Sequence, residues 1–62
     1  MNYTERKMLT AKDVSMICQV SISYGYKLIN RLNRELTQKG YIIIHGKVDE
    51  KYFYRRLFPE VI

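Results

Sequence analysis

A small α+β domain, with two helices ahead of a short β-hairpin wing and a short C-terminal helix after it, is the fold this chain predicts. Two apolar stripes of helical period, separated by only three or four residues, occupy positions 9–19 and 22–39. A β-prone run, Tyr41-Ile42-Ile43-Ile44, follows directly on Gly40. The 62 residues can bury only about 60% of the surface that the unfolded chain exposes, enough for one core and no second domain. At 47% hydrophobic, with three Gly and one Pro, the chain is too apolar to stay disordered.

Residues 1–8 carry no clear period and read as a flexible N-terminal arm, leaving residues 9–62 as the folded domain. Thr10 is positioned to cap the first helix, with Asp13 three residues on as a capping-box acid and Leu9 able to staple against Val14. Ala11, Val14, Ile17 and Cys18 then form one apolar stripe through about Gln19. Hydroxyl and β-branched residues at 19–23 interrupt it, and either Ser21 or Ser23 can cap a second helix. That helix carries Gly25, Leu28, Ile29, Leu32 and Leu36 on one side and stops at Gly40. Gly25, without a side chain, allows the second helix to approach the first closely. Beyond Gly40, residues 41–44 and Lys47-Val48 are expected to pair across a His45-Gly46 turn as the wing. Asp49 can cap the last helix, Glu50–Leu57, whose Phe53 and Leu57 cover the hairpin, and Pro59 closes it.

Eleven Lys and Arg against six Asp and Glu give a net charge of +5, which on so small a surface favours polyanionic partners. The single cysteine, Cys18, cannot form an internal disulfide and sits in an apolar stripe as a filler. No Cys/His cluster has the spacing of a zinc site, so no metal and no cofactor is expected. One His, one Cys and no acid placed to complete a triad leave little support for catalysis, and the chain is expected not to be an enzyme. The longest aliphatic run is Ile42-Ile43-Ile44 and no charged-then-apolar leader opens the chain. A cytoplasmic protein without membrane association is the expectation.

Two helices joined by three or four residues, the second opening at a hydroxyl cap and followed by a hairpin, have the layout of a winged helix-turn-helix. At 100° per residue the second helix divides into two faces. Opposite the apolar stripe lie Ser23, Tyr26, Lys27, Asn30, Arg34 and Gln38, rich in long donors and free of acids. In such a layout this face enters the major groove of double-stranded DNA, where Arg and Lys pair with guanine edges or phosphates and Asn with adenine. Lys27, Asn30 and Arg34 are the leading contacts, with Ser23 and Tyr26 beside them and Arg31 reaching the backbone from the shoulder. The same residues would serve a merely solvated polar face, and it is the flanking helix and hairpin that favour DNA. Glu35 is placed to pair with Arg31 four residues earlier.

Ser21 and Ser23 can satisfy helix amides or bond phosphate at the helix N-terminus, and Ser21 is assigned to that end of the DNA interface. His45, Gly46 and Lys47 form a basic, turn-prone tip suited to the minor groove, or an ordinary polar turn. The Tyr52-Phe53-Tyr54-Arg55-Arg56 stretch could stack on single-stranded bases, yet its helical spacing places Phe53 in the core and the arginines at a helix C-terminus. A small protein-interaction module, using its basic face on an acidic protein, is the alternative from another class. An RNA-binding protein would need exposed aromatics such as Tyr24, Tyr26 and Tyr54.

Three segments carry a family resemblance: Leu9-Thr10-Ala11-Lys12-Asp13-Val14, then residues 23–36 (SYGYKLINRLNREL), then Gly46-Lys47-Val48 ahead of Lys51-Tyr52-Phe53. The chain resembles the small excisionases of Gram-positive phages and integrative conjugative elements, within the broader MerR-like winged-helix group. Similar proteins often carry proline where Asp49 stands, a departure that Asp49 absorbs by capping the same helix. The resemblance implies a recombination directionality factor that binds and bends attachment-site DNA, promoting excision by an element-encoded tyrosine integrase without cutting DNA itself. Related small winged helices also act as transcriptional regulators of phages and mobile elements. Bending is costly for one small monomer, so cooperative self-association on DNA is part of the expectation.

Overall fold

In the computed structural model, which describes residues 7–61, strand β1 (Met8–Thr10) turns at Thr10 straight into helix α1 (Ala11–Cys18). The expected capping box forms. The Thr10 amide donates to Asp13 Oδ2 at 2.9 Å and the Asp13 amide to Thr10 Oγ1 at 3.2 Å, so two otherwise unpaired donors satisfy each other's side chains. The Thr10 amide, then the Thr10 side chain, hold the Asp13 carboxyl below its ordinary pKa. Gln19, in the left-handed region at φ 58, ends α1 with its amide on the Ser15 carbonyl. Ser21 then caps α2 (Ile22–Gln38), its Oγ accepting from the Tyr24 amide at 3.1 Å. The cap that the sequence left open between two serines is therefore Ser21.

α1 and α2 cross closely at Gly25. A Cβ built there would lie 2.6 Å from the Ala11 carbonyl oxygen, inside any real contact distance. Helix α2 ends where Gly40, at φ 93, reverses the chain. The Gly40 amide bonds the Thr37 carbonyl and the Tyr41 amide the Leu36 carbonyl, each at 3.0 Å. This is the paired termination that a left-handed glycine permits. Strand β2 (Lys47–Asp49) and helix α3 (Glu50–Leu57) follow, α3 capped by Asp49 Oδ2 accepting from the Tyr52 amide at 3.0 Å. A 3-10 turn, Pro59–Val61, closes the described chain.

The architecture is the small α+β winged helix fold, but its two-stranded sheet joins different residues from those expected. β2 pairs antiparallel with β1, Leu9 opposite Val48, and residues 41–44 form no strand. The expected first wing strand is displaced for two local reasons. Tyr41 is committed to the end of α2 through its amide. The Ile44 carbonyl is committed to a turn, accepting the Lys47 amide at 3.2 Å and an amide N–H of Asn33 at 3.3 Å. Only Ile42 and Ile43 remain, too few for a ladder, while Leu9 offers Val48 a buried partner. Met8, counted in the expected arm, belongs to the sheet, and the Glu50 amide reaches the Lys7 carbonyl at 3.0 Å. Residues 1–6, the remainder of that arm, lie outside the described residues.

Val14, Ile29, Val48 and Phe53 are the large side chains with no exposure, one from each of the three helices and one from β2. Leu9, Ala11, Leu32 and Tyr52 complete the core, with Leu28 and Leu36 packed at its edge. Phe53 makes edge-on contacts with Tyr54 and Phe58, at ring separations of 5.2 and 6.2 Å. This accords with the packing account of the aromatic stretch rather than with base stacking. Cys18 is half-buried against the core, and desolvation pushes its thiol pKa up. Among the described residues no helix is long and apolar enough to cross a membrane.

A polar clamp fastens α3 to α2. Glu35 accepts from Arg56 Nε and Nη2 at 2.8 and 2.6 Å and from the Tyr52 hydroxyl at 2.7 Å, instead of pairing with Arg31. The Arg56 fork meets both carboxylate oxygens, a two-point charge-assisted contact. Arg56 stands with Arg55 in the last turn of α3, as expected, and ties that turn to α2 as well. Lys39 Nζ lies over the Tyr52 ring, 5.1 Å from its centre. Arg56, then Tyr52, hold the Glu35 carboxyl at about 2, down from 4.5. A depressed carboxylate stabilises the fold above its unfolded pKa and loses that contribution as pH falls toward its folded one. Thermal melts of the wild type and Glu35→Gln should therefore differ most at neutral pH and converge between pH 4.5 and about 2. Parallel pH profiles for the two proteins would show that the clamp's charge contributes nothing.

Candidate nucleic-acid interface

The outward face of α2 carries Ser23, Tyr26, Lys27, Asn30, Arg31 and Arg34, and all six side chains are exposed. Burial of Gly25, Ile29 and Leu32 against α1 and the sheet fixes which way the helix is turned. The helical period then delivers the polar face to solvent as one strip. Ser21, also exposed, stands at its N-terminal end, where the cap bond to Tyr24 leaves the hydroxyl hydrogen available to donate. No acid lies on the strip itself. The nearest, Glu35, is turned away into the clamp with Arg56 and Tyr52. Arg31 is exposed, and its charge lowers the Glu35 carboxyl less than Arg56 and Tyr52 do.

The wing tip forms as expected at His45, Gly46 and Lys47, although its shape comes from a turn rather than a ladder. The Lys47 amide bonds back to Ile44, and Gly46 at φ 81 occupies the third position, where a type II turn needs a left-handed residue. His45 and Lys47 are exposed and Gly46 is half-buried.

Asn33, which sequence reasoning did not single out, joins these two parts. Its Nδ2 donates to the Ile44 carbonyl at 3.3 Å and to the Lys47 carbonyl at 2.8 Å, with the residue only 6% exposed. One amide group therefore holds both ends of the wing turn against α2. Three residues from Asn30, Asn33 lies about 60° around the helix, so the wing is fixed on the shoulder of the polar strip. The signal was legible in principle. Asn33 sits four residues after Ile29 and three before Leu36, inside the apolar stripe, where an amide must find partners.

Chemically, the strip offers donors of two kinds. Lys27, Arg31 and Arg34 supply cationic groups suited to phosphates or guanine edges, and Asn30 supplies an amide suited to adenine. Among the described residues no three His, Cys, Asp or Glu side chains converge in a way that could hold a metal ion.

No protein-family model matches the chain, and no solved structure matches it. The chain is 36% identical over 47 residues to the ICEBs1 excisionase of Bacillus subtilis (strain 168), an alignment covering 76% of this chain and 73% of that protein. That degree of likeness over most of both chains establishes kinship, and the chain belongs to the excisionase family.

Proposed function

We infer that this protein is a recombination directionality factor, a sequence-specific double-stranded DNA-binding protein that promotes excision by a tyrosine integrase. The single observation that carries the reading is the acid-free strip of α2 with a cationic turn fixed beside it by Asn33. Family membership supports the same conclusion from an independent direction. Lys27, Asn30 and Arg34 enter the major groove, with Ser23 and Tyr26 alongside. Ser21 and Arg31 bond phosphates at the margins, and His45, Gly46 and Lys47 follow the minor groove. The protein positions and bends the attachment site while the integrase performs the strand chemistry.

Smooth bending of a 20 to 30 base-pair site costs roughly 1 to 6 kcal/mol. A monomer of this size has few contacts with which to offset that cost, so several copies bind neighbouring sites cooperatively.

Titration of labelled duplexes tiled across the ends of the chain's genetic element and its own promoter, at several salt concentrations, tests the reading. Tight binding at the element ends is expected, with Arg34→Ala weakening it by about 1 to 3 kcal/mol if Arg34 bonds a guanine edge through both ends of its fork. If Arg34 meets phosphate instead, the loss is uniform across sequences and the salt slope falls by about one. Binding confined to the promoter would indicate a transcriptional regulator. Absence of duplex preference at low salt would overturn the DNA reading in favour of a protein-interaction module.

A further inference from the structure

The segment between α2 and β2 exposes more aliphatic surface than its size explains. Ile42 is 98% exposed and Ile44 55%, with Tyr41 63% exposed beside them. Single exposed aliphatic residues are ordinary, but three large apolar side chains within four positions are not. They are also held in place. Tyr41 is bonded into the end of α2, and the Ile44 carbonyl is bonded to Asn33 and Lys47. Ile42 therefore projects from a held segment, beside Leu36 and Lys39 at the C-terminal end of α2 and Asp49, Lys51, Tyr52 and Arg55 of β2 and α3.

We propose that Ile42 is a wedge that enters the minor groove and opens a base step, with Ile44 packing on the adjacent sugars. This rests on the DNA reading above and assigns it a mechanism of bending. Charge selects the occupant. No acid occurs in the sequence between Leu36 and Val48, and around Ile42 the cations Lys39, Lys51 and Arg55 outnumber the one acid, Asp49. Asp49, the nearest acid, accepts the Tyr52 amide as the cap of α3. A second copy brings +5 of its own toward this cationic frame, whereas a duplex brings phosphates on both sides of an apolar groove floor. Aliphatic wedges in the minor groove partly unstack a step and kink the duplex toward the major groove. Pyrimidine–purine steps, TA and CA, yield most readily. Bending then concentrates in one kink beside the recognition helix, and the wedge adds sequence preference at a step that no side chain reads by hydrogen bonds.

The test uses the full chain and the duplex that binds it most tightly in the tiled titration, with 2-aminopurine placed in turn at each TA and CA step. Wild-type protein should raise 2-aminopurine fluorescence several-fold at one step and shorten the end-to-end distance read by energy transfer. Ile42→Ser should lose the fluorescence rise and most of the bend, keep the wild-type melting temperature and salt slope, and be rescued in both readouts by Ile42→Leu. A wild-type complex with no unstacked step overturns the wedge while leaving DNA binding intact. So does an Ile42→Ser protein that bends a single site normally but loses cooperativity on a two-site duplex, which would give the patch to a second copy. Failure of the wild type to bind any duplex overturns the wedge and the DNA reading together.

Discussion

Gly25→Ala should lower the melting temperature by up to roughly 16 °C, the shift that a net loss of up to about 2 kcal/mol produces in a domain of this size. The sign is diagnostic, because Ala is the better helix former and on propensity alone would stabilise α2 by about 1 kcal/mol. Against that gain stands the Ala11 carbonyl oxygen, 2.6 Å from where the new methyl would sit. A backbone oxygen cannot rotate away, so α1 and α2 must separate, and overpacking of that kind costs about 1 to 3 kcal/mol. Because separation also disturbs Val14 and Ile29, both fully buried, the net effect falls on the destabilising side. Arg34→Ala, which alters only an exposed side chain, serves as the control and should melt close to the wild type, since such surface changes stay within about 0.5 kcal/mol. A Gly25→Ala protein as stable as the wild type would mean that the helix crossing is looser than this geometry.

Asn33→Ala should be the most damaging single change to the wing. It removes both hydrogen bonds from Asn33 to the wing, leaving the Ile44 carbonyl with the Lys47 amide alone, and each such bond contributes about 0.5 to 1.5 kcal/mol. Function should suffer as well as stability. Released from α2, His45 and Lys47 no longer sit in fixed relation to Asn30 and Arg34. Duplex affinity then drops, and its salt slope shallows by about 0.9 for every phosphate that the freed wing ceases to neutralise. Asn33→Asp is the sharper probe. Its carboxylate presents acceptors to two carbonyls and should be worse than Ala at neutral pH, whereas its protonated form can donate one bond. Burial and the two carbonyls raise the folded-state pKa of that carboxyl, so stability should return as pH falls through it. Melting temperatures of the three proteins from neutral to acid pH, with duplex titrations of those that remain folded, decide the matter. Wild-type binding and salt slope in Asn33→Ala would remove the wing from the interface.

The helices were legible because their signals are local. Thr10 with Asp13, Ser21, Asp49 and Gly40 are start and stop residues whose hydrogen bonds reach only three to five positions along the chain, and each forms as its type predicts. The wheel of α2 was equally readable, since burial of Gly25, Ile29 and Leu32 follows from a period of 3.6 and fixes the opposite face without reference to anything distant. The sheet was not. Residues 41–44 have the stronger β propensity, yet the strand that pairs with Lys47–Asp49 is Met8–Thr10. Propensity measures fit to a half-buried pleated surface, and which segment receives that surface depends on what the fold brings beside β2.

The same division runs through the side chains. Sequence alone determined the charge, the caps, the close approach at Gly25 and the identity of the polar strip, because each depends on residue type and on spacing within one element. Only the tertiary structure decided that Glu35 pairs with Arg56 and Tyr52 rather than Arg31, that Asn33 fixes the wing, and that Ile42 projects while Val48 is buried. Those outcomes join residues 11 to 21 positions apart or depend on which segment lies against the core. No periodicity within a helix or strand encodes them, because the partner arrives only when the chain has folded back on itself.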